Sequence, residues 1–208
     1  MDVALGIMGL ACLVLLLEAA PQALYAQASG SKAGPRWRVL NGMSSFAVGA
    51  AMFVLTGGQP TISNLSAAVA VSACAAIIFS DVRYFLIPDI CTAAILLAAV
   101  LRASDVGVVV ALSGAAIGAF IPLLVVGIGR MRAVQAMGVA DVKLAFALGA
   151  LLGPRDIVTA LLAASVLGLG YAGVAFLARR RFDIVPFGAA LSAAAIAIFA
   201  ARFLGSSS

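Results

Sequence analysis

Asp81 and Asp141 are the two residues whose type and setting could carry chemistry. Asp81 directly follows the apolar run Ala75–Ser80 and opens the segment Asp81-Val82-Arg83-Tyr84-Phe85-Leu86-Ile87-Pro88-Asp89. Asp141 lies in Met137-Gly138-Val139-Ala140-Asp141-Val142-Lys143-Leu144, at the start of another apolar stretch. A carboxylate at membrane depth costs a few kcal/mol, so each asks for a reason. Two facing carboxyls can hydrolyse a peptide bond. Like charges a few ångströms apart do not both ionise readily, so such a pair shares a proton. The ionised member takes a proton from water, and the protonated member hydrogen-bonds the scissile carbonyl. The pair titrates as a unit, and the residues alone do not assign the two parts. The plainer alternative stays open on the same residues: two helix-terminal aspartates that cap their helices or pair with Arg83 and Lys143.

Composition narrows the field. The 208 residues contain no histidine and only eight acids. A Ser-His-Asp triad, a Cys-His pair and a histidine-ligated metal are thereby excluded. Cys12, Cys74 and Cys91 lie far apart inside apolar runs. Neither a zinc knot nor a redox dithiol fits that spacing, and buried small apolar side chains fit it well. No metal and no cofactor is expected. Asp2, Asp105, Asp156 and Asp183 sit at stretch ends or beside arginine, where solvation or pairing accounts for them. Glu18 falls late in the first stretch and is read as structural.

The elements that must position the two aspartates are membrane helices. The chain is 64% hydrophobic and 10% charged, against roughly 25% charged in a soluble domain. Eight apolar stretches approach the length of a spanning helix, at roughly 3–24, 39–57, 65–80, 86–102, 106–128, 135–153, 157–178 and 184–204. Gly-Gly-Gln-Pro at 57–60 and Gly153-Pro154 break the chain, whereas charge bounds the third and fourth stretches. The expected fold is all-α, a polytopic transmembrane bundle of about eight helices. Residues 1–64 form two N-terminal helices with a short basic loop at 27–38, and residues 65–204 form a six-helix core. Small residues inside the stretches allow close helix contact, with Gly168, Gly170 and Gly173 as one cluster.

Lysine and arginine set the orientation. Nine of the thirteen basic residues fall in the odd-numbered connectors and three in the even-numbered connectors and C-terminus, with Lys143 inside a stretch. The positive-inside rule puts the odd connectors in the cytoplasm and both termini outside. Asp81 and Asp141 then share the cytoplasmic side. The net charge of +5 sits between apolar segments without interleaved aromatics, which is a membrane pattern and excludes a nucleic-acid partner. Ala26-Gln27-Ala28 matches a signal-peptidase site, but Asp2 is the one charge ahead of the apolar run and no basic residue precedes it. A retained first helix is expected.

At these residues the sequence resembles the type IV prepilin peptidases, polytopic aspartic proteases of bacteria related to archaeal preflagellin peptidases. The first family block is Asp81 with Ile87-Pro88-Asp89. The second, Gly-x-Gly-Asp followed by Lys-Leu, is represented by Gly138-Val139-Ala140-Asp141-Val142-Lys143-Leu144. A third and weaker block is Pro186-Phe187-Gly188, which opens the last stretch. The resemblance spans about 65–204 and is not evident over 1–64. It implies that Asp81 and Asp141 are the catalytic pair, that Gly138 gives a flexible approach to Asp141, and that Pro88 and Asp89 shape a helix start. It implies that Pro186, Phe187 and Gly188 pack near the site. Ala140 departs from the motif by replacing its second glycine, and its methyl group narrows the backbone there. Long family members carry a cytoplasmic domain linked to N-methylation; loop 27–38 is short and has no cysteine, so peptidase without methyltransferase is expected, as in tight-adherence (Flp-type) pilus systems.

The implied substrate is a prepilin or pseudopilin precursor with a basic leader, a glycine before the scissile bond and then an apolar helix. The lipid bilayer and the pilus assembly machinery are the other partners expected. Asp89 is a candidate contact for the basic leader. Three rivals use the same residues differently: a presenilin-like protease with another single-span substrate, an ion- or proton-coupled transporter or channel, and a non-catalytic scaffold of a pilus or secretion assembly.

Overall fold

The computed structural model describes residues 61–132, 137–179 and 185–205, together with the helical residues Ala47, Ala50 and Ala51. The stretches expected at 3–24 and 39–57, and the loop at 27–38, otherwise lie outside the described residues. So does the total of eight helices. Among the described residues there are six helices and no strand. They are α1 (Ile62–Tyr84), α2 (Asp89–Val106), α3 (Val108–Met131), α4 (Val139–Leu152), α5 (Pro154–Arg179) and α6 (Phe187–Gly205). The all-helical expectation holds for this part of the chain.

Each boundary has a local cause. Thr61 caps α1, its hydroxyl oxygen accepting from the Asn64 N–H at 3.2 Å. Phe85 ends α1 in the left-handed conformation (φ 52°, ψ 38°), a position glycine usually fills at a helix end. Pro88 immediately precedes α2 with extended backbone, and its ring keeps Ile87 before it out of the helical region. Gly107 alone separates α2 from α3, and Gly153 alone separates α4 from α5, with φ of 97° and 86°. Those two turns need glycine. Charge was expected to bound the fourth stretch; Gly107 bounds it instead.

Three helices, α1, α3 and α5, are long and apolar enough to cross a membrane. Helix α2 is 18 residues long but includes Asp89, Arg102 and Asp105. Helix α4 is shorter than the stretch expected at 135–153. Its 14 residues rise roughly 21 Å, less than the roughly 30 Å of bilayer hydrocarbon. It sits in the middle of the bundle against α2, α3, α5 and α6, with Leu144, Leu148, Leu151 and Leu152 almost fully buried. By contrast α3 and α5 turn Val109, Leu112, Leu162, Leu169 and Leu177 outward, an apolar surface suited to lipid.

The core is built from small side chains. Ala67, Ala68, Ala70, Ala73, Ala145, Ala160, Ala164 and Ala195 are inaccessible. Lipid is as apolar as leucine, so close van der Waals contact drives helix association. The most extensive helix pair is α3 with α4. A methyl group on Gly114 would collide with the Gly149 carbonyl, one on Gly149 with the Gly114 carbonyl, and one on Gly118 with the Ala145 carbonyl. The close approach is therefore made by Gly114, Gly118 and Gly149, not by the cluster expected at Gly168, Gly170 and Gly173. Gly170 and Gly173 have nothing within 4 Å of where a methyl would stand, and Gly168 meets one methyl of Val185 at 3.3 Å. Serine hydroxyls inside the helices bond backbone carbonyls one turn back, as Ser72 does to Ala68 and Ser165 to Leu161, each at 2.8 Å.

The contacts sort the helix ends into two groups. One group holds the starts of α3 and α5 and the ends of α2, α4 and α6. There Arg202 of α6 pairs with Asp156 of α5 and bonds the Leu152 carbonyl at 3.4 Å. Arg102 of α2 lies 5.5 Å from the centre of the Phe199 ring. The other group holds the end of α1 and the starts of α2, α4 and α6, where all three sequence blocks meet.

Gly149→Val and Gly114→Val should each lower stability by about 1–3 kcal/mol at the least. Gly170→Val should be tolerated. Thermal unfolding in detergent and the amount of protein retained in membranes would check the contrast.

Candidate active site

Asp81 lies one turn before the end of α1 and is 5% exposed. Its Oδ2 accepts the Ala189 N–H at 2.7 Å, and the Gly188 N–H acts on the same carboxylate. Both donors belong to the first turn of α6, whose N–H groups have no partner within the helix. A helix N-terminus offers free donors and a positive dipole end, and a carboxylate suits both. This charge-assisted bond joins residues 108 positions apart.

The third block explains how α6 comes so near. Pro186 is buried ahead of the helix, and its carbonyl accepts the Ala190 N–H at 3.3 Å. Gly188 then faces Ile87 and Asp81. A methyl there would stand 2.5 Å from Ile87 Cδ1 and 3.1 Å from Asp81 Oδ2. Phe187 turns toward the space beside the carboxylate. Of the residues expected to pack near the site, Gly188 lies against Asp81, Phe187 lines the cavity beside it and Pro186 is buried just ahead of them. Sequence reading missed the Ala189 N–H, which carries no side-chain signal.

Asp141 stands in the first turn of α4 and is half-buried. Its Oδ2 accepts the Gly138 N–H at 3.2 Å. A carboxylate at the third helical position thus reaches back to the residue that precedes the helix, one half of a capping box. Gly138 has ordinary extended backbone (φ −79°, ψ 150°). Conformational freedom is therefore not what the position needs; space is. A methyl on Gly138 would lie 3.2 Å from Asp141 Oδ2. Ala140 is helical and half-buried, in a conformation that alanine favours over glycine.

Asp81 and Asp141 line one cavity of about 740 Å³. They are near enough for the charge on one to act on the other. The remaining wall is largely apolar: Phe85 from the end of α1, Ile121, Pro122 and Val125 from α3, Leu161 from α5, and Val185 and Phe187 at α6. Ser165 and the Met137-Gly138 segment complete it. Phe85 reaches the cavity because its left-handed turn bends the chain there. That conformation costs a side-chain-bearing residue about 1–3 kcal/mol and tends to occur where a site requires it.

Lys143 and Asp89 do not join the two cavity aspartates. Lys143 Nζ pairs with Asp89 Oδ1 at 3.1 Å across the starts of α4 and α2. Pro88 immediately precedes α2, and Asp89 is its first residue. The plainer reading of Asp141 as a cap is met by its bond to Gly138, while the suggested partner Lys143 is engaged elsewhere. No group of His, Cys, Asp and Glu among the described residues could hold a metal ion.

The model of the type IV leader peptidase family matches residues 68–173, just over half of the chain. The chain belongs to that family. The match includes Asp81, Pro88, Asp89, Gly138, Asp141 and Lys143 and ends before Pro186. It is shorter than the span of 65–204 expected from the three blocks. No curated protein and no solved structure matches. Family and fold together give a leader-peptidase relative with membrane-crossing helices.

Both members of the Lys143–Asp89 pair are more than half exposed, where such pairs contribute about 0–1 kcal/mol. Lys143→Met should shift the thermal midpoint by little, and added salt should erase most of the difference. Thermal scans at low and high salt would measure it.

Proposed function

We propose that this protein is a membrane-embedded aspartic endopeptidase that removes the basic leader from prepilin-like precursors. The observation that carries the reading is the shared cavity: two carboxyls, Asp81 and Asp141, face a largely apolar space at one end of the bundle. Each has a backbone N–H on one oxygen. This leaves carboxyl oxygens with which to hold a water molecule and a peptide carbonyl.

In the proposed reaction the ionised member of the pair takes a proton from water. The resulting hydroxide adds to the scissile carbonyl, whose oxygen is hydrogen-bonded by the protonated member. A tetrahedral intermediate forms. Its collapse breaks the C–N bond, and a proton from the pair goes to the leaving amine. The leader departs as a carboxylate and the mature protein keeps a new N-terminus. The apolar walls accept the residues around the scissile bond. Phe85, at the rim of the cavity, is exposed enough to meet an incoming chain.

The basic connectors support an orientation. Arg83, Arg130, Arg132 and Arg179–Arg181 all lie in or next to connectors leading to or from this end of the bundle. By the positive-inside rule that end faces the cytoplasm of a bacterial inner membrane, and both chain termini lie outside. A precursor whose basic leader remains in the cytoplasm would present the junction between leader and apolar helix at that depth. The exposed Asp89 is a contact for a basic leader, in exchange with Lys143. A pilus assembly apparatus would receive the product.

Co-expression with a precursor carrying a basic leader, a glycine and an apolar helix tests the reading by gel shift. Asp81→Asn and Asp141→Asn should each abolish processing while the protein still accumulates in the membrane. Cleavage by either variant at a rate near that of the unaltered protein would sink the paired mechanism.

A further inference from the structure

The two aspartates are held in different ways. Asp141 bonds an N–H of its own chain turn, three residues away, at 3.2 Å and in a half-buried setting. Asp81 bonds a different helix at 2.7 Å in a nearly closed one. A carboxylate on the last turn of α1 would otherwise be free to rotate about its side-chain torsions. The first turn of α6 removes that freedom, and it does so from the backbone, which is the least mobile part of the neighbouring helix.

On the side of Gly188 that bond has close neighbours. Ile87 closes over Gly188, and after two Ile87 carbons Asp81 Oδ2 is the nearest atom to a 188 methyl group, at 3.1 Å. Phe187 and Val185, on either side of the buried Pro186, line the cavity that Asp81 faces. The segment 185–189 therefore has one surface in the cavity and the other on the carboxylate.

We infer that the first turn of α6 is the positioning element for Asp81, with Gly188 and the Ala189 N–H fixing the direction in which this carboxylate faces the cavity. Gly188 and Ala189 are positioning residues; they act through Asp81 and touch no reacting atom. Asp81 is the anchored member of the pair, and Asp141 is the member free to adjust when a peptide enters. The inference rests on the dyad reading above and adds an element to it that lies outside the family match at 68–173.

The test removes the donor and leaves the helix. Ala189→Pro deletes the N–H that Asp81 accepts, and proline is compatible with a first helical turn because the N–H groups there have no intrahelical partner. Ala190→Pro is the control: it deletes the donor to the Pro186 carbonyl, which does not touch Asp81. Purified variants would be assayed on the same reporter precursor. Ala189→Pro should lower kcat by about ten- to a hundredfold, as loss of one charge-assisted bond implies, with KM within about twofold. Gly188→Ala, a gentler change, should lower kcat in the same way. Ala190→Pro should keep most of kcat, even if its thermal midpoint falls further than that of Ala189→Pro.

Unaltered kcat in Ala189→Pro overturns the inference. So does a matching kcat loss in Ala190→Pro, since that would mark helix integrity and not the bond to Asp81. Should Ala189→Pro fail to accumulate, Gly188→Ala decides alone: a kcat drop at constant KM supports positioning, and unaltered kcat refutes it. Failure of the broader reading looks different, because Asp81→Asn would then remain active. An inactive Asp81→Asn beside a fully active Ala189→Pro rejects only the role of α6.

Discussion

A carboxyl group in a bundle of alanines must be given its hydrogen bonds by the protein, because neither lipid nor its apolar neighbours can supply them. Asp81 meets that constraint through the N-terminus of α6. The consequence reaches past one residue. For the bond to form, α6 must begin at the same end of the bundle where α1 finishes, and its first turn must carry no side chain on the side facing α1. Proline before the helix and glycine at its second position satisfy both conditions. The last described helix is thus tied to the first by a charge-assisted bond at this end of a core built mostly from small apolar side chains.

The same economy of volume governs α4. Its 14 residues fit only because helix α3 presents Gly114 and Gly118 to it, allowing the backbones almost to touch. The first turn of α4 carries Asp141 to the cavity that Asp81 also lines. The glycine contacts hold α4 against α3, and α3 also supplies Ile121, Pro122 and Val125 to the wall of that cavity.

Much of this was legible in the residues. Asp81, Asp141 and Gly188 stood out by type, spacing and likeness to a family, and the apolar runs marked the six described helices to within a few residues. What escaped notice has a physical pattern. The Ala189 N–H is a backbone group, and any residue except proline would supply it. Phe85 takes a left-handed conformation that its side chain does not advertise. Gly107 ends α2 just after Arg102 and Asp105, so charge marked the boundary to within a few residues while the turn itself falls on the glycine that follows. The Gly114-x-x-x-Gly118 spacing was the available signal for the α3–α4 contact, and it was hidden among 21 glycines. Gly138 was read for its conformational freedom when the requirement was room for the Asp141 oxygen. Sequence reports which residues differ from their surroundings; it does not report which backbone will stand next to them.

The division of labour between the ends of the bundle follows from helix polarity. The starts of α2, α4 and α6 gather at one end and bring their free N–H groups and positive dipole ends with them. That end attracts carboxylates, and it holds Asp81, Asp89 and Asp141. At the opposite end the last turn of α6 carries Arg202, the charge that suits a helix C-terminus, with Asp156 at the start of α5 as the counter-ion and Arg102 of α2 close by. An acid pair needs fixed donors around it and an opening through which an extended peptide can enter. The connectors at the end where the acids lie are longer than the single glycines at the other. Helix polarity thus places the donors that carboxylates need at the end where the proposed acid pair lies.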